Sequence, residues 1–284
     1  MKTKFSIILP VIICVLLWSA LLPAHAQKDA FPYPALPDTL HRVEQRAAFL
    51  IEHYWDNYHF QDTLLLQNKE ITEQGFVNFI DILARFDEPI AQKGILAFTA
   101  KAFAEKPSKE IFENLIEQYL EDHESPMRND KVYCLFLEDM MKLPYFDETE
   151  KIRIDFRLKT AKKNLPGTIA RNFSFSLSED ENLSDRAKKQ NDGKVHQLSD
   201  YKKQKVILYF YDPECDNCHK ITAWLEQQHI PTDVKMLRIV ADYHINDLYS
   251  LKAMPTIYLL DKGNIVILKD CTAEQLITTL QNSY

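Results

Sequence analysis

Two cysteines separated by two residues carry the clearest chemical signal in this chain. Cys215 and Cys218 stand in the stretch P-E-C-D-N-C-H, which ends at His219. A Cys-x-x-Cys pair is a dithiol that can form and break a disulfide, whereas Cys-x-x-Cys-His is also the signature of covalent haem attachment. The seven residues alone do not decide between a redox dithiol, a structural disulfide, a haem site and a metal site. The predicted strands and helices around the motif indicate which of these four sites it forms.

The elements next to the cysteines favour a reactive dithiol. Residues 206–211 (V-I-L-Y-F-Y) form a continuous apolar run, which is typical of a strand buried on both faces of a mainly parallel sheet. The motif follows directly, and apolar spacing then predicts a helix over about residues 215–228. Unpaired N–H groups and the helix dipole stabilise a thiolate at a helix N-terminus. This predicts Cys215 as the attacking thiol and Cys218, one turn further on, as the resolving thiol.

Strands and helices are predicted to alternate along the rest of the C-terminal half of the chain. Phe173 and Phe175 alternate with polar residues as in an edge strand, and residues 178–194 are polar and predict a long hairpin loop. The remaining predicted elements are a strand over Val234–Val240, a short helix over 245–252, a hairpin of 256–260 with 265–268 turning at Gly263, and a final helix capped by Thr272. The predicted order is β–β–β–α–β–α–β–β–α.

The N-terminal half has a helical pattern. From Asp38, a predicted N-cap, to about Lys163, apolar residues recur at three- and four-residue steps, and prolines separate the segments. This predicts a bundle of about six helices without a sequence repeat. The aromatic side chains between His53 and Phe60 favour a helical core over a ligand surface. The pattern changes at Pro166-Gly167, so we place the domain boundary between residues 164 and 165.

Residues 1–26 are predicted to be a secretory signal peptide. Lys2 and Lys4 precede an apolar stretch over 5–22, and Ala24-His25-Ala26 has the small-residue pattern of a cleavage site. The alternative is an uncleaved membrane anchor, because the stretch just reaches the length of a span. Contact with a membrane is therefore expected only through this segment, if it is uncleaved.

Charge and cysteine count narrow the classes of function. The chain has a formal net charge of −7, and loss of the signal peptide removes two lysines and no acids. No nucleic-acid partner is expected, because such a partner needs a basic face. The cysteines after residue 26 are too few for a disulfide scaffold: Cys134, Cys215, Cys218 and Cys271. Cys134 is predicted to be a buried core thiol. Cys271 is predicted to be structural, with a part in disulfide exchange left open.

The strand, the Cys-x-x-Cys motif and Met254-Pro255-Thr256 about 40 residues later together resemble the thioredoxin superfamily. The opening motif P-G-x-x-A-x-x-F from Pro166 to Phe173, the extra hairpin and L-S-D-Y-K before the central strand are similar to one branch. That branch comprises exported thiol–disulfide oxidoreductases related to the alkyl hydroperoxide reductase and thiol-specific antioxidant family. The resemblance covers residues 165–284 and implies an α/β thioredoxin-like domain with a mixed sheet flanked by helices. An all-α domain of unknown function, residues 27–164, precedes it.

The resemblance also implies a site and its partners. Pro255 would be cis and would place the backbone of Met254 beside the Cys215 sulfur, where Met254 and Thr256 contact a substrate strand. Cys215 and Cys218 would form a redox-active disulfide without an organic cofactor or metal. The implied partners are protein thiol or disulfide substrates and a thiol electron donor. Because this branch is commonest in the periplasm, the expected location is the periplasm of a Gram-negative bacterium.

Three residues depart from the usual pattern of the superfamily. Glu214 stands where tryptophan is usual, Tyr209 where many thioredoxins carry a buried carboxylate, and Met254 where threonine or valine is common. Asp212, Glu214 and Asp216 surround the first thiol with like charge, which disfavours its thiolate form. A less stabilised thiolate favours the disulfide, so we expect a reducing rather than an oxidising dithiol.

Two other functions are compatible with the sequence. The chain could be a binding or assembly module, in which the helical half recognises a partner and the cysteine pair is a structural disulfide. It could also be a thiol peroxidase of the peroxiredoxin type. That chemistry needs a hydroxyl three residues before the reactive cysteine, and Asp212 stands there instead.

Overall fold

A computed structural model of the chain describes residues 30–177 and 194–282. The predicted signal peptide and nearly all of the predicted hairpin loop lie outside these residues. The chain divides into two compact units between Phe112 and Glu113. The domain boundary at 164/165 therefore stays a prediction. Among the described residues, every helix is too short or too polar to cross a membrane.

The first unit is helical. Its helices are α1 (Val43–His53), α2 (Thr63–Gln67), α3 (Thr72–Leu83), α4 (Glu88–Ala102) and the beginning of α5 (Lys106–Ile116). Asp38 does not cap a helix, because it lies in a turn and Arg42 occupies the N-cap of α1. The apolar pattern does not predict α2, which is short and capped by Asp62. The Asp62 carboxylate accepts the N–H groups of Leu64 and Leu65.

An aromatic core fills the first unit. Trp55 is buried, and its ring centroid lies 5.0 Å from that of Phe98 and 5.3 Å from that of Phe112. The Tyr58 hydroxyl forms a 2.6 Å hydrogen bond with the hydroxyl of buried Thr72. A buried phenol needs such a partner. Four of the predicted aromatic residues therefore belong to the core, namely Tyr54, Trp55, Tyr58 and Phe60. The prediction was wrong for His53, which is half-exposed, and for His59, which is exposed.

The second unit contains the sheet. It begins with the end of α5 and a π-helical turn (Glu117–Glu121), followed by α6 (Asp130–Met140) and α7 (Glu148–Ala161). The later elements are β1 (Ser174–Ser176), β2 (Val195–Gln197), β3 (Lys205–Tyr211), α8 (Asp216–Glu226), β4 (Val234–Val240), α9 (Tyr243–Tyr249), β5 (Thr256–Asp261), β6 (Ile265–Leu268) and α10 (Ala273–Asn282). This order confirms the predicted one. Within the described residues, seven helices precede the strands, against about six predicted.

The sheet is mixed, as predicted, and β3 lies in its interior. Its strand order is β4-β3-β5-β6, with β3 parallel to β4 and antiparallel to β5. Along β3, Leu208 and Phe210 pack in one apolar cluster with residues of α9, while Ile207 packs in another with residues of α8 and α10. Because helices cover both faces of the sheet, β3 is apolar at consecutive positions.

Charged side chains form a buried network next to β6. Arg128 Nη1 donates to Asp270 Oδ2 at 2.8 Å, and Lys269 Nζ donates to Asp130 Oδ1 at 3.1 Å. His123 Nδ1 lies 3.4 Å from Asp270 Oδ1. Buried charges persist only when they are paired and hydrogen-bonded. The network therefore ties the segment from His123 to Asp130 to the chain that follows β6.

The His123–Asp270 pair predicts a pH-dependent stability. The nearby carboxylate of Asp270 raises the pKa of His123, although burial opposes this. The resulting stabilisation is complete below the unfolded pKa of about 6.5 and is lost as the pH rises through the higher folded-state pKa. We expect His123→Asn to lower the free energy of unfolding by about 1 kcal/mol at low pH and by little at alkaline pH.

Urea unfolding of the full chain at pH 5.5 and pH 9 measures this difference. The exposed His229 provides the matched control, and His229→Asn should change stability little at either pH. An equal loss for His123→Asn at both pH values would contradict the pairing.

Candidate active site

The cysteine pair lies where β3 gives way to α8. Cys215 is the N-cap of α8, and its sulfur accepts the backbone N–H of Cys218 at 3.1 Å. The two sulfurs are 2.6 Å apart, and neither thiol is in a disulfide. The geometry suits a pair that forms and breaks a disulfide.

The two cysteines differ in accessibility. Cys215 is half-buried, whereas Cys218 is 1% exposed. Burial, reinforced by the hydrogen bond to Cys215, raises the pKa of Cys218 to about 12. Cys218 therefore stays protonated at neutral pH. Only the sulfur of Cys215 is accessible from outside, and it lies at the N-terminus of α8.

The loop before β5 completes the site. The Met254–Pro255 peptide bond is cis, in agreement with the family resemblance. The Met254 carbonyl oxygen is 3.7 Å from the sulfur of Cys215, which places this backbone beside the accessible thiol. Thr256 is buried, and its hydroxyl donates to the Ala253 carbonyl at 2.6 Å. Thr256 therefore holds the turn that presents Met254, and its contact with substrate stays a prediction.

Two side chains outside the predicted site residues, Asn217 and His219, also support the motif. Asn217 Nδ2 donates to the Met254 carbonyl at 3.4 Å, which links the motif to the loop before β5. The His219 ring reaches back to the Pro213 carbonyl, with Nε2 at 2.8 Å. Asn217 fills a variable position of Cys-x-x-Cys, so only the packing of two distant segments reveals its role.

Tyr209 replaces the buried carboxylate of many thioredoxins with a phenol. Its hydroxyl donates to the Cys218 carbonyl at 2.8 Å and accepts from Thr222 Oγ1 at 3.0 Å. Burial raises the pKa of Tyr209, so the phenol stays neutral at physiological pH. A neutral phenol cannot take up a proton as a carboxylate does. Tyr209 instead fastens the first turn of α8 to β3.

The acidic residues around the motif are exposed. Asp212, Glu214 and Asp216 all face solvent, and Asp212 Oδ1 accepts the Glu214 N–H at 2.9 Å. Water and salt weaken the effect of exposed charges on a neighbouring group. The reducing character that these charges favour therefore stays a prediction.

The other two cysteines belong to the core. Burial raises the pKa of Cys134 to about 11 and that of Cys271 to about 12. Cys134 is thus the buried core thiol that the sequence predicts. Cys271 packs in the same apolar cluster as Cys218, and its N–H donates to the Ile257 carbonyl at 3.0 Å, which favours a structural role. Across residues 30–177 and 194–282, no group of three His, Cys, Asp or Glu side chains could hold a metal ion.

Comparison with known proteins identifies both halves of the chain. The family described as thioredoxin matches residues 186–282, and the family described as domain of unknown function DUF5106 matches residues 18–164. The crystal structure of a thioredoxin-like protein from Bacteroides caccae is 30% identical, with a TM-score of 0.70. That match covers 89% of this chain and 99% of the Bacteroides caccae chain.

Shorter solved structures resemble part of the chain. The C-terminal domain of an uncharacterized protein from Bacteroides fragilis is 24% identical over 42% of this chain and 99% of its own, with a TM-score of 0.34. The thioredoxin domain of a thiol-disulfide oxidoreductase from Bacteroides vulgatus is 14% identical over 42% of this chain and 96% of its own, also with a TM-score of 0.34. None of the curated proteins matches. The chain therefore belongs to the DUF5106 family and is a thioredoxin-like protein with a helical N-terminal region.

Proposed function

We propose that this chain is a thiol–disulfide oxidoreductase that acts outside the cytoplasm on the disulfides of protein substrates. The half-buried sulfur of Cys215 carries the proposal. It caps α8, lies 2.6 Å from the buried sulfur of Cys218 and lies beside the carbonyl of Met254. The match of residues 186–282 to thioredoxin supports the same chemistry.

In the proposed reaction, the Cys215 thiolate attacks one sulfur of a substrate disulfide. A bond forms between Cys215 and that sulfur, and the other substrate sulfur leaves as a thiolate that takes a proton from water. Cys218 then attacks the sulfur of Cys215 and transfers its proton to the second substrate sulfur as it leaves. The substrate gains two electrons, and the chain keeps a Cys215–Cys218 disulfide. A second thiol protein returns two electrons to the chain.

The substrate binds as an extended strand next to Met254. An extended peptide adds to exposed backbone through main-chain hydrogen bonds, and the backbone of Met254 lies beside Cys215. Pro255 fixes the direction of this backbone, and Thr256 supports it from beneath. A disulfide in the bound strand would lie within reach of the Cys215 sulfur.

Export to the periplasm is part of the proposal. It rests on the charge pattern, apolar stretch and small-residue site of residues 1–26. An exported dithiol meets disulfide-bonded proteins as substrates, because such proteins are stable outside the reducing cytoplasm.

The geometry of the cysteines disfavours haem attachment. The haem signature uses both cysteines for covalent bonds, yet Cys218 is buried beneath Cys215 in the apolar cluster under α8. The His219 ring, which would serve as an axial ligand, is engaged with the Pro213 carbonyl. The redox dithiol therefore fits these contacts better.

A redox titration tests the proposal. The mature protein is equilibrated in glutathione buffers, extended with dithiothreitol to lower potentials, then acid-quenched, unfolded, alkylated and weighed intact. We expect a two-thiol transition assigned to Cys215 and Cys218, with Cys134 and Cys271 alkylated throughout. A midpoint of about −270 mV would indicate a reductase, and one of about −120 mV an oxidant. A haem adduct, or a pair that stays oxidised throughout, would overturn the proposal.

A further inference from the structure

The second unit contains a cavity that the proposed disulfide exchange does not use. Its volume is about 550 Å³, and its wall is formed by α6, α7, the segment from Tyr249 to Lys252 and the residues that follow β6. Cavities of about 300–1,000 Å³ are the usual size of small-molecule sites. Such sites combine an apolar lining with a few placed polar groups, so the lining decides which ligand could bind.

Positive charge is in excess around the cavity. The cationic lining residues are Arg128, Arg153, Arg157, Lys252 and Lys269, and the acidic ones are Glu121, Asp130 and Asp270. Arg128 and Lys269 are held by acids of the buried network, Lys252 pairs with Glu121, and Arg157 pairs with Glu117 outside the lining. Arg153 is exposed and has no ion pair or hydrogen bond with any described residue. The lining therefore favours an anion and offers it one uncommitted guanidinium.

One side of the cavity is apolar and exposed. Ile152 and Phe156 are each 70% exposed and both line the cavity. They are four residues apart on α7 and therefore lie on one face of that helix, next to Arg153. Covering large apolar side chains is favourable by about 25 cal/mol for each Å² removed from water. This side suits the apolar body of a ligand.

Three buried polar atoms of the cavity-lining residues have no hydrogen-bond partner among the described residues, namely two donors and one acceptor, Asp270 Oδ1. The Tyr133 hydroxyl and Arg128 Nε are inaccessible to solvent and form no hydrogen bond with the described residues. An unsatisfied buried polar group costs about 1–3 kcal/mol. Both groups donate, so a carboxylate oxygen would satisfy either. These donors point to an acceptor-bearing ligand independently of the charge balance.

We propose that this cavity binds a small organic carboxylate with an aromatic or aliphatic body. The carboxylate lies at the cationic wall, where Arg153 and the Tyr133 hydroxyl are uncommitted donors. The apolar body packs against Ile152 and Phe156. This site is separate from the dithiol, so its existence does not depend on disulfide exchange.

Three probes with the same body and different charge test the proposal by calorimetric titration of the full chain. They are 4-phenylbutyrate, its neutral amide and 4-phenylbutylamine. We expect saturable one-to-one binding of the acid, at least about tenfold weaker binding of the amide, and none of the amine. Cys215→Ser should bind the acid unchanged. Loss of disulfide exchange and loss of ligand binding are thereby measured separately.

Two variants locate the ligand. Tyr133→Phe removes a hydroxyl that has no partner, so the fold should persist while affinity for 4-phenylbutyrate falls about tenfold. Arg153→Gln removes an exposed charge and should have a similar effect, whereas Arg46→Gln, exposed on α1, should have none. Absence of saturable binding at millimolar acid would overturn the proposal. So would equal affinity for acid and amide, or unchanged binding in both cavity variants.

Discussion

Replacing Cys215 by Ser is expected to reduce disulfide exchange to the uncatalysed rate. A serine hydroxyl stays protonated at neutral pH and does not attack a disulfide, even at the N-terminus of α8. Cys218→Ser is expected to give a different product. Cys215 would still attack, but the mixed disulfide with the substrate would persist because no resolving thiol follows. Reduction of a disulfide-bonded protein, followed by intact mass, measures both effects.

Cys134→Ser is the matched control, because Cys134 is a buried thiol outside the apolar cluster that contains the dithiol. It should keep the exchange rate of the unaltered chain. Exchange by Cys215→Ser at that same rate would rule out Cys215 as the nucleophile. The chain would then be better described as a binding module with a structural cysteine pair.

The second large effect is expected at Asp270, in the buried network next to β6. Asp270→Asn should lower the free energy of unfolding by about 3 kcal/mol, because it leaves Arg128 without its closest carboxylate partner. Asn tolerates the positive φ of 48° at this position, so the substitution chiefly removes charge. Urea unfolding at pH 7 measures the loss.

The pH dependence of this loss has a defined sign. Burial alone would raise the pKa of Asp270, but the nearby His123 and the hydrogen-bonded guanidinium of Arg128 lower it. The stabilisation is therefore present above the unfolded pKa of about 3.9 and disappears as the pH falls through the lower folded-state value. Asp247→Asn is the control, because its exposed pair with Lys163 should contribute at most about 1 kcal/mol. Equal losses for the two variants at pH 7 would show that the buried network contributes little.

Local sequence patterns predicted the second half of the chain well. The apolar run of β3, the strand Val234–Val240 and the turn at Gly263 are all set by neighbouring residues, and the structure places them as expected. Gly263 has a φ of 80°, which glycine adopts without strain. The cis peptide before Pro255 followed from family resemblance rather than from local chemistry.

The sequence did not predict which distant segments contact each other. Arg128 and Asp270 are 142 residues apart, and neither residue type nor spacing indicates that they pair. Asn217 became part of the site only because the loop before β5 packs against α8. The cavity lining likewise depends on how α6 and α7 pack, which their apolar periodicity does not specify. The prediction that Asp38 caps a helix was wrong although aspartate is a favourable N-cap residue, because the chain forms a turn there before α1 begins.

The charged network has a consequence for how such proteins can evolve by domain shuffling. Arg128 and Asp130 lie in the part of the chain that matches DUF5106, whereas Lys269 and Asp270 lie in the part that matches thioredoxin. Recombination between relatives at the junction would combine charges that were not selected together and leave buried ions without partners. The two halves should therefore be inherited as a matched pair, even though each is recognisable as a family by itself.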